Sequence, residues 1–273
     1  MFYLFNVLIF NSVLMFWHLI SYKLFEIFNL SQQKRKTQMK QTAKLKTLVL
    51  SMAVAGSSIA ALAPATTQAG VSGNVGVVSQ YIFRGIPQSD GAAAAQAGVD
   101  YENDSGIYLG LWGSEVTNDE GGELEYDVYG GWSGEVSGVG LSAGVTLYRY
   151  TEELWDKSYD EVNLSASFGN LSVGLDAGNH VAADGGVDDH SYTIVSASYS
   201  YGSAYGLVGS ATDFLGEDTS YTWVELGYGA EVAEGTEVGF SLINTMGEDT
   251  GIGKDGDGDL MMVVGFTKSF DLM

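Results

Sequence analysis

Cysteine is absent from the 273-residue sequence, and only two prolines occur in it. Without cysteine the chain has neither a disulfide framework nor a thiolate metal site. Basic residues are also scarce from residue 70 onward, where they are Arg84, Arg149, Lys157, Lys254 and Lys268. Of the 34 acidic residues, all except Glu26 lie in that same part of the chain. This acidity argues against nucleic-acid binding, which needs a positively charged footprint.

The first 69 residues differ in composition from the rest. Residues 1–38 are interpreted as an over-extended start that the native protein does not contain. The alternative is a membrane anchor at residues 1–22, since about 20 apolar residues can span a bilayer. Residues 39–69 begin with lysines, continue with an apolar stretch and end in small residues, which is the layout of a secretory signal peptide. Cleavage is predicted after Ala69, with Ala65 as the second choice.

Residues 70–273 alternate apolar and polar side chains with a period of two, which is typical of half-buried strands. In residues 161–168 the apolar face consists of Val162, Leu164, Ala166 and Phe168. Helical periodicity is absent from this region. The same pattern predicts twelve strands, at 72–85, 93–101, 107–114, 123–134, 140–150, 159–168, 171–180, 191–201, 204–212, 220–232, 236–244 and 259–270.

The connections between these strands are alternately long and short along the chain. This ordering is typical of an outer-membrane barrel, which has long loops outside and tight turns in the periplasm. We therefore predict an all-β fold, a transmembrane antiparallel up-and-down β-barrel of about twelve strands with apolar side chains outward and a polar interior. The alternative is a secreted antiparallel β-sandwich. Aromatic residues near strand ends are expected to form the interfacial girdles: Tyr81, Phe83, Tyr101, Tyr205 and Phe270.

Two stretches near the predicted mature start, "VGVVSQYIFRGIPQSDG" and "AAAAQAGVDYENDSGIYLGLWGS", resemble a known family. They are similar to the proteobacterial outer-membrane porins called TorF-like, and the resemblance covers about residues 70–270. Its most specific element is formed by Tyr81, Phe83, Arg84 and Gly85. The resemblance implies an outer-membrane barrel and passive passage of solutes, and it supplies no catalytic residues.

The alternation of side chains between the two faces of each predicted strand, which we call strand phase, predicts an acidic inner wall. The carboxylates expected to face the lumen are Glu123, Glu125, Asp127, Glu161, Asp176, Glu225 and Glu237. A negative lumen concentrates cations and disfavours anions, although the acids could also serve only to keep the interior wet. Arg84 is expected at the outer end of the first strand, as a counter-ion on the rim beside Asp259. An anion-selecting role for Arg84 is the alternative.

Metal and catalytic sites have weaker signals. Asp255, Asp257 and Asp259 alternate in "KDGDGD" and could bind Ca²⁺ at an outer loop, but the spacing is not that of an EF-hand. A solvated acidic loop is the other reading. His180 and His190 bracket a further acidic loop that could hold a transition metal. No serine motif accompanies these histidines, so we predict that the protein is not an enzyme.

The sequence as a whole predicts a porin-like channel in the outer membrane of a Gram-negative bacterium. It would pass small solutes by diffusion and prefer cations. The expected partners are outer-membrane lipid, lipopolysaccharide and the barrel-assembly machinery, and no cofactor is required. The alternative is a non-conducting structural or adhesive barrel whose acidic outer loops bind divalent cations.

Overall fold

The computed structural model describes residues 70–118, 121–152, 156–182, 188–247, 258 and 260–273. These residues form strands, turns and loops, and no helix among them is long and apolar enough to cross a membrane. The strands are β1 (Gly70–Val78), β2 (Ile82–Phe83), β3 (Ile86–Pro87), β4 (Ala94–Glu102), β5 (Ile107–Asn118), β6 (Gly121–Val136), β7 (Val139–Tyr150), β8 (Asp156–Phe168), β9 (Leu171–Ala182), β10 (His190–Tyr201), β11 (Ala204–Thr212), β12 (Ser220–Ala233), β13 (Thr236–Met246) and β14 (Met261–Asp271).

Twelve of these strands close into one barrel, in the order β1-β14-β13-β12-β11-β10-β9-β8-β7-β6-β5-β4. Every neighbouring pair is antiparallel, and β1 completes the ring by pairing with both β4 and β14. At the closure Val75 lies opposite Ala97 on one side and Lys268 on the other. The predicted fold class and strand number are confirmed. Closure leaves no free sheet edge, which is the condition for a sheet to exist in lipid.

The two faces of the barrel differ in polarity. On β9 the outward side chains of Leu171, Val173 and Leu175 are 43–47% exposed, whereas Asp176, which points inward, is 5% exposed. The other strands repeat this alternation, because successive side chains of a strand point to opposite faces. The outer surface is therefore a belt of valine, leucine, isoleucine, methionine and aromatic side chains.

The two ends of the barrel differ in the length of their connections. The short-turn end has the connections 103–106, 137–138, 169–170, 202–203 and 234–235. The long-loop end has 79–93, 119–120, 151–155, 183–189, 213–219 and 247–260. The sorting of connections follows the prediction, but 119–120 is shorter than predicted because β5 and β6 extend into the expected loop. Ser137 and Gly138 both have positive φ, +55° and +83°, which is the geometry of a type I′ hairpin turn.

The first predicted strand, 72–85, is wrong at its far end. β1 ends at Val78, and the chain then turns into the barrel. We call residues 79–93 the lumenal segment. Its strands β2 and β3 form a small separate hairpin in which Ile82 pairs with Pro87. A period-two pattern that runs on beyond Val78 does not distinguish a barrel strand from a second hairpin strand inside the barrel.

Candidate functional site: the barrel lumen

The acidic residues predicted to face inward lie on the inner wall of the barrel. Six are buried, with exposures of 2–7%: Glu123, Glu125, Asp127, Glu161, Asp176 and Glu225. Glu237, near the short-turn end of β13, is half-buried on the same face. The alternation of the strands positions all of them, because each shares its phase with other inward side chains of its own strand, as Glu161 does with Asn163.

Arg84 is the central cation of the lumen. Its guanidinium binds both carboxylate oxygens of Glu161, with Nη1–Oε1 at 2.5 Å and Nη2–Oε2 at 2.9 Å. Nη2 also donates to Oδ2 of Asp176 at 3.1 Å. The side chain of Arg84 is fully buried, and so is that of Glu161.

These contacts correct the rim position predicted for Arg84. The residue is carried by the lumenal segment and not by β1, because the backbone reverses at Arg84 and Gly85, where φ is +51° and +82°. This reversal sends the side chain across the lumen to β8 and β9. Asp259, its predicted partner, lies outside the described residues.

Tyrosine hydroxyls bind three of the six buried carboxylates, those of Glu125, Glu161 and Glu225. Tyr192 donates to Glu161 at 2.8 Å and Tyr148 donates to the same carboxylate at 3.2 Å. Tyr81 donates to Glu125 at 2.9 Å, and Tyr205 donates to Glu225. Hydrogen bonds of this kind compensate for the loss of water around a buried carboxylate, so the acids can remain inside the barrel.

The prediction of a polar interior is only partly correct for the long-loop half of the barrel, where two apolar clusters lie beside the buried acids Glu123, Glu125 and Glu161. The first consists of Val78, Tyr81, Ile82, Ala94, Val116, Ile243, Met261 and Val263. The second consists of Tyr192, Ile194, Leu207, Ala211, Phe214, Tyr221 and Trp223. Phe83 of the lumenal segment packs against both clusters. Most members of the clusters are inward residues of the barrel strands, and the segment adds Tyr81, Ile82 and Phe83 between them.

Other aromatic side chains on the inner face of the barrel lie along the wall, each packed over a glycine of the neighbouring strand. A methyl group added to Gly110 would lie 2.2 Å from the ring of Tyr129, its cross-strand partner. Gly227 and Tyr205 form an equivalent cross-strand pair, with a distance of 2.1 Å. Because the glycines have no Cβ, the rings occupy space along the wall and not at the barrel axis.

A polar cavity of about 90 Å³ lies among the inward residues of β5–β10, towards the short-turn end. Its lining contains three tyrosines, one carboxylate and several small polar side chains: Tyr108, Tyr129, Tyr148, Asp176, Asn163, Ser142, Thr146, Ser165 and Ser196. Asn163 connects the cavity to the ion-pair layer, because its Nδ2 donates to Glu161 at 2.9 Å and to Asp176 at 3.0 Å. Most side chains that line this cavity carry a polar group, as the sequence predicted, and the rings of its tyrosines add apolar surface.

The metal sites suggested by the sequence find no support among the described residues. Asp255, Asp257 and Asp259 lie outside them, so the calcium hypothesis stays a prediction. His180 and His190 face each other across β9 and β10, with their Nδ1 atoms 3.4 Å apart. Among the described residues, no three His, Cys, Asp or Glu side chains converge in a way that could hold a metal ion.

The predicted aromatic girdle is correct for some residues and wrong for others. Tyr101 and Phe270 lie on the outer surface, each 41% exposed. Tyr81 is 2% exposed and, like Phe83, belongs to the lumenal segment, so neither lies on the outer surface. Tyr205 points inward to Glu225. Strand alternation alone would have placed Tyr205 outward, because it shares its phase with the apolar residues Leu207 and Ala211, which also point inward.

Sequence reasoning missed the tyrosines that bind the acids. Tyr148 and Tyr192 alternate with outward residues on their strands, so their inward orientation could be read from the sequence. Their partners could not, because Glu161 is contacted from three different parts of the chain. The pairing of rings with glycines also depends on strand register, which cannot be determined from the sequence.

Among solved structures, the chain is similar to bacterial outer-membrane proteins. A structure described as KdgM porin is 11% identical, with a TM-score of 0.48 over 73% of this chain and 99% of that one. OccK1 (OpdK) of Pseudomonas aeruginosa is 14% identical, with a TM-score of 0.35 over 69% and 59%. Outer membrane phospholipase A of Escherichia coli is 14% identical, with a TM-score of 0.39 over 76% and 98%.

Among curated proteins no sequence matches this chain. A family model does match, over residues 62–270, and its description is "Bacterial protein of unknown function (Gcw_chp)". The resemblance to TorF-like porins therefore stays a prediction. Because the match includes every strand of the barrel, the chain belongs to the Gcw_chp family of bacterial proteins.

Proposed function

We propose that the protein is an outer-membrane channel of narrow bore that passes small solutes by diffusion and prefers cations. The observation that carries this proposal is the charge of the inner wall. Around Arg84 the buried carboxylates of Glu161 and Asp176 outnumber the one guanidinium that binds them. Fixed negative charge in a low-dielectric passage raises the local concentration of cations and repels anions.

The contacts of Arg84 favour a counter-ion over an anion-selecting residue. Its guanidinium already binds two carboxylates, Glu161 and Asp176. Asp127 has a buried Oδ1 atom without a hydrogen-bond partner in the described structure. Because an unpaired oxygen of this kind is costly inside the barrel, a proton or a cation is expected to pair with it.

The outer surface supports a location in a membrane. Exposed apolar side chains cover the barrel wall, and the ring of strands has no open edge. A soluble protein rarely exposes contiguous apolar patches larger than several hundred Å². The signal peptide predicted at residues 39–69 would direct export, after which lipid, lipopolysaccharide and the barrel-assembly machinery of a Gram-negative outer membrane become the expected partners.

Epitope labelling tests this location and its orientation. We expect an epitope inserted near Gly256, in the long 247–260 connection, to be labelled on intact cells. An epitope at Asn170, in a short turn, should be labelled only after the cells are permeabilised, because short turns face the periplasm in barrels of this kind. The reverse pattern would contradict the orientation.

Planar-bilayer recording under a salt gradient tests the channel itself. We expect small currents whose reversal potential has the sign of cation preference. Replacing Glu123 and Glu125 by glutamine and Asp127 by asparagine should lower that preference, since it removes inner-wall charge. Glu135→Gln is the matched control, because Glu135 is an exposed residue of the same strand. An unchanged reversal potential in the triple variant would place these acids away from the conduction path.

A non-conducting structural barrel is the second candidate function. The specific observation in its favour is the packing of the long-loop half, where two apolar clusters occupy the lumen. In this case the acidic loops at that end would bind divalent cations and connect neighbouring lipopolysaccharides. The absence of any current from folded, membrane-inserted protein would support this candidate and contradict the channel.

A further inference from the structure

The lumenal segment, residues 79–93, crosses the full width of the barrel. It leaves β1 at Val78, and Arg84 binds Glu161 on β8 and Asp176 on β9. In the closed ring β9 lies six strands from β1 in both directions, that is, on the opposite wall. The segment therefore reaches from one side of the lumen to the other.

Further contacts attach the segment to the wall between these two points. Tyr81 donates its hydroxyl to Glu125 on β6 at 2.9 Å. The hydroxyl of Thr245 on β13 donates to the carbonyl of Gly85 at 2.6 Å, and the amide of Thr117 on β5 donates to the carbonyl of Gln88 at 2.9 Å. With wall contacts on several sides, the segment obstructs the lumen at this level.

Arg84 makes the most polar of these contacts. Besides its ion pairs, its guanidinium lies 4.6 Å from the ring centre of Phe83 and 5.5 Å from that of Phe214. A buried arginine that binds one carboxylate with two parallel hydrogen bonds has a single well-defined geometry. When the ion pair between Arg84 and Glu161 breaks, both charged groups must be hydrated. The contact is therefore either formed or fully broken, with few intermediate states.

The backbone at this position is unfavourable without those contacts. Arg84 has φ of +51°, a conformation that residues other than glycine rarely adopt. At Gly85, with φ of +82°, an added methyl group would lie 2.4 Å from Oγ1 of Thr245 and 2.7 Å from Cβ of Trp223. The side-chain contacts of Arg84 thus hold a turn that the chain would otherwise leave.

We propose that the lumenal segment is a gate and that Arg84 is the residue that keeps it closed, through Glu161 and Asp176. This inference rests on the proposed channel function. Release of the guanidinium frees the tip of the hairpin, while the hydrogen bonds between Ser79 and Val264 hold its base to the wall. The tip then swings away from β8 and β9 and opens a path to the polar cavity towards the short-turn end.

Two measurements on the full barrel test the gate. The first is planar-bilayer recording of the current through the Arg84→Gln variant. Glutamine keeps a long polar side chain but removes the charge. We expect the variant's time-averaged current to rise at least tenfold over that of the unmodified protein. Arg149→Gln is the matched control, because Arg149 pairs with Asp160 at 2.7 Å in a partly exposed position. The current of this control should not change.

The second measurement reports movement independently of current. The sequence contains no cysteine, so Gln88→Cys introduces one thiol, at a position in the segment that is 7% exposed. Its rate of modification by a maleimide should be slow in the otherwise unchanged barrel. The rate should rise at least tenfold when Arg84→Gln is added, and it should not rise with Arg149→Gln.

The two measurements separate the gate from the channel. Faster modification together with a larger current supports both. Faster modification of a folded barrel that carries no current supports the release of the segment and overturns the channel. Unchanged modification and unchanged current in a conducting barrel overturn the gate. If Arg84→Gln does not fold, the same pair of measurements on Glu161→Gln decides the matter with the same criteria.

Discussion

The two halves of the lumen differ in how the space inside the barrel is filled. Near the long loops, the lumenal segment and the inward side chains of β10–β14 fill the space with an apolar core. Towards the short turns on β5–β10, rings such as Tyr129 lie over glycines, and a polar cavity is left between them. A barrel of a given strand number therefore does not by itself determine whether its lumen is open. The inward residues and one inserted hairpin determine it.

The difference has consequences for stability as well as for passage. In the filled half an inward side chain is surrounded by protein on all sides, so its loss leaves a cavity. Towards the short turns the inward side chains border space that is already present. Substitutions in the first group should reduce the free energy of unfolding more than substitutions in the second.

Arg84→Ala should have the largest effect. It leaves Glu161 buried and without its main ionic partner, and the loss of one member of a buried ion pair costs about 3–5 kcal/mol. Urea unfolding of the protein in lipid vesicles measures this change. Adding Glu161→Gln should recover part of the loss, because the unpaired charge is then removed. Strict additivity of the two substitutions would show that these residues are not coupled.

Ile243→Ala should come next. Ile243 is 1% exposed and belongs to the first apolar cluster, so its truncation should cost about 2–5 kcal/mol through lost contacts and a residual cavity. Val162→Ala is the comparison on the outer surface, where the side chain is 52% exposed and lipid can fill the space. Equal losses in the two variants, again from urea unfolding, would contradict a packed core in this half.

Gly110→Ala should have a smaller effect, of about 1–3 kcal/mol, because the added methyl group displaces the ring of Tyr129. Gly206→Ala is the control, since the nearest atom to its added methyl group is 3.4 Å away, an ordinary contact. The Gly110→Ala variant should also conduct less, because the displaced ring moves towards the barrel axis. A normal stability and a normal current would show that the glycine is not needed to accommodate the ring.

The barrel could be predicted from the sequence because its signals are local. Alternation with a period of two, strand number and the sorting of long and short connections are all properties of contiguous segments. The inward orientation of acids such as Glu125 and Asp176 follows from the same phase. These features need no knowledge of which strands are neighbours beyond simple hairpins.

The arrangement inside the lumen could not be predicted in the same way. The partners of Arg84 lie on strands far from it in the chain, and the apolar alternation around Tyr81 suits a barrel strand and an inner hairpin equally well. The pair "RG" at Arg84 and Gly85 was the available signal, since a glycine after an isolated cation is compatible with a turn. Without register, its direction into the barrel was not determined.

The measurement that tests a cation-preferring lumen most directly is a ratio of two reaction rates at one position. Ser142→Cys places a thiol in the lining of the polar cavity, in a chain without other cysteines. The thiol is treated with aminoethyl and sulfonatoethyl methanethiosulfonate, which are similar in size and opposite in charge, and each rate is divided by that for a free thiol. We predict that the cationic reagent is favoured by roughly tenfold or more, since a negative cleft raises local cation concentration by that order. Equal normalised rates, or a preference for the anionic reagent, would contradict a lumen whose charge selects cations.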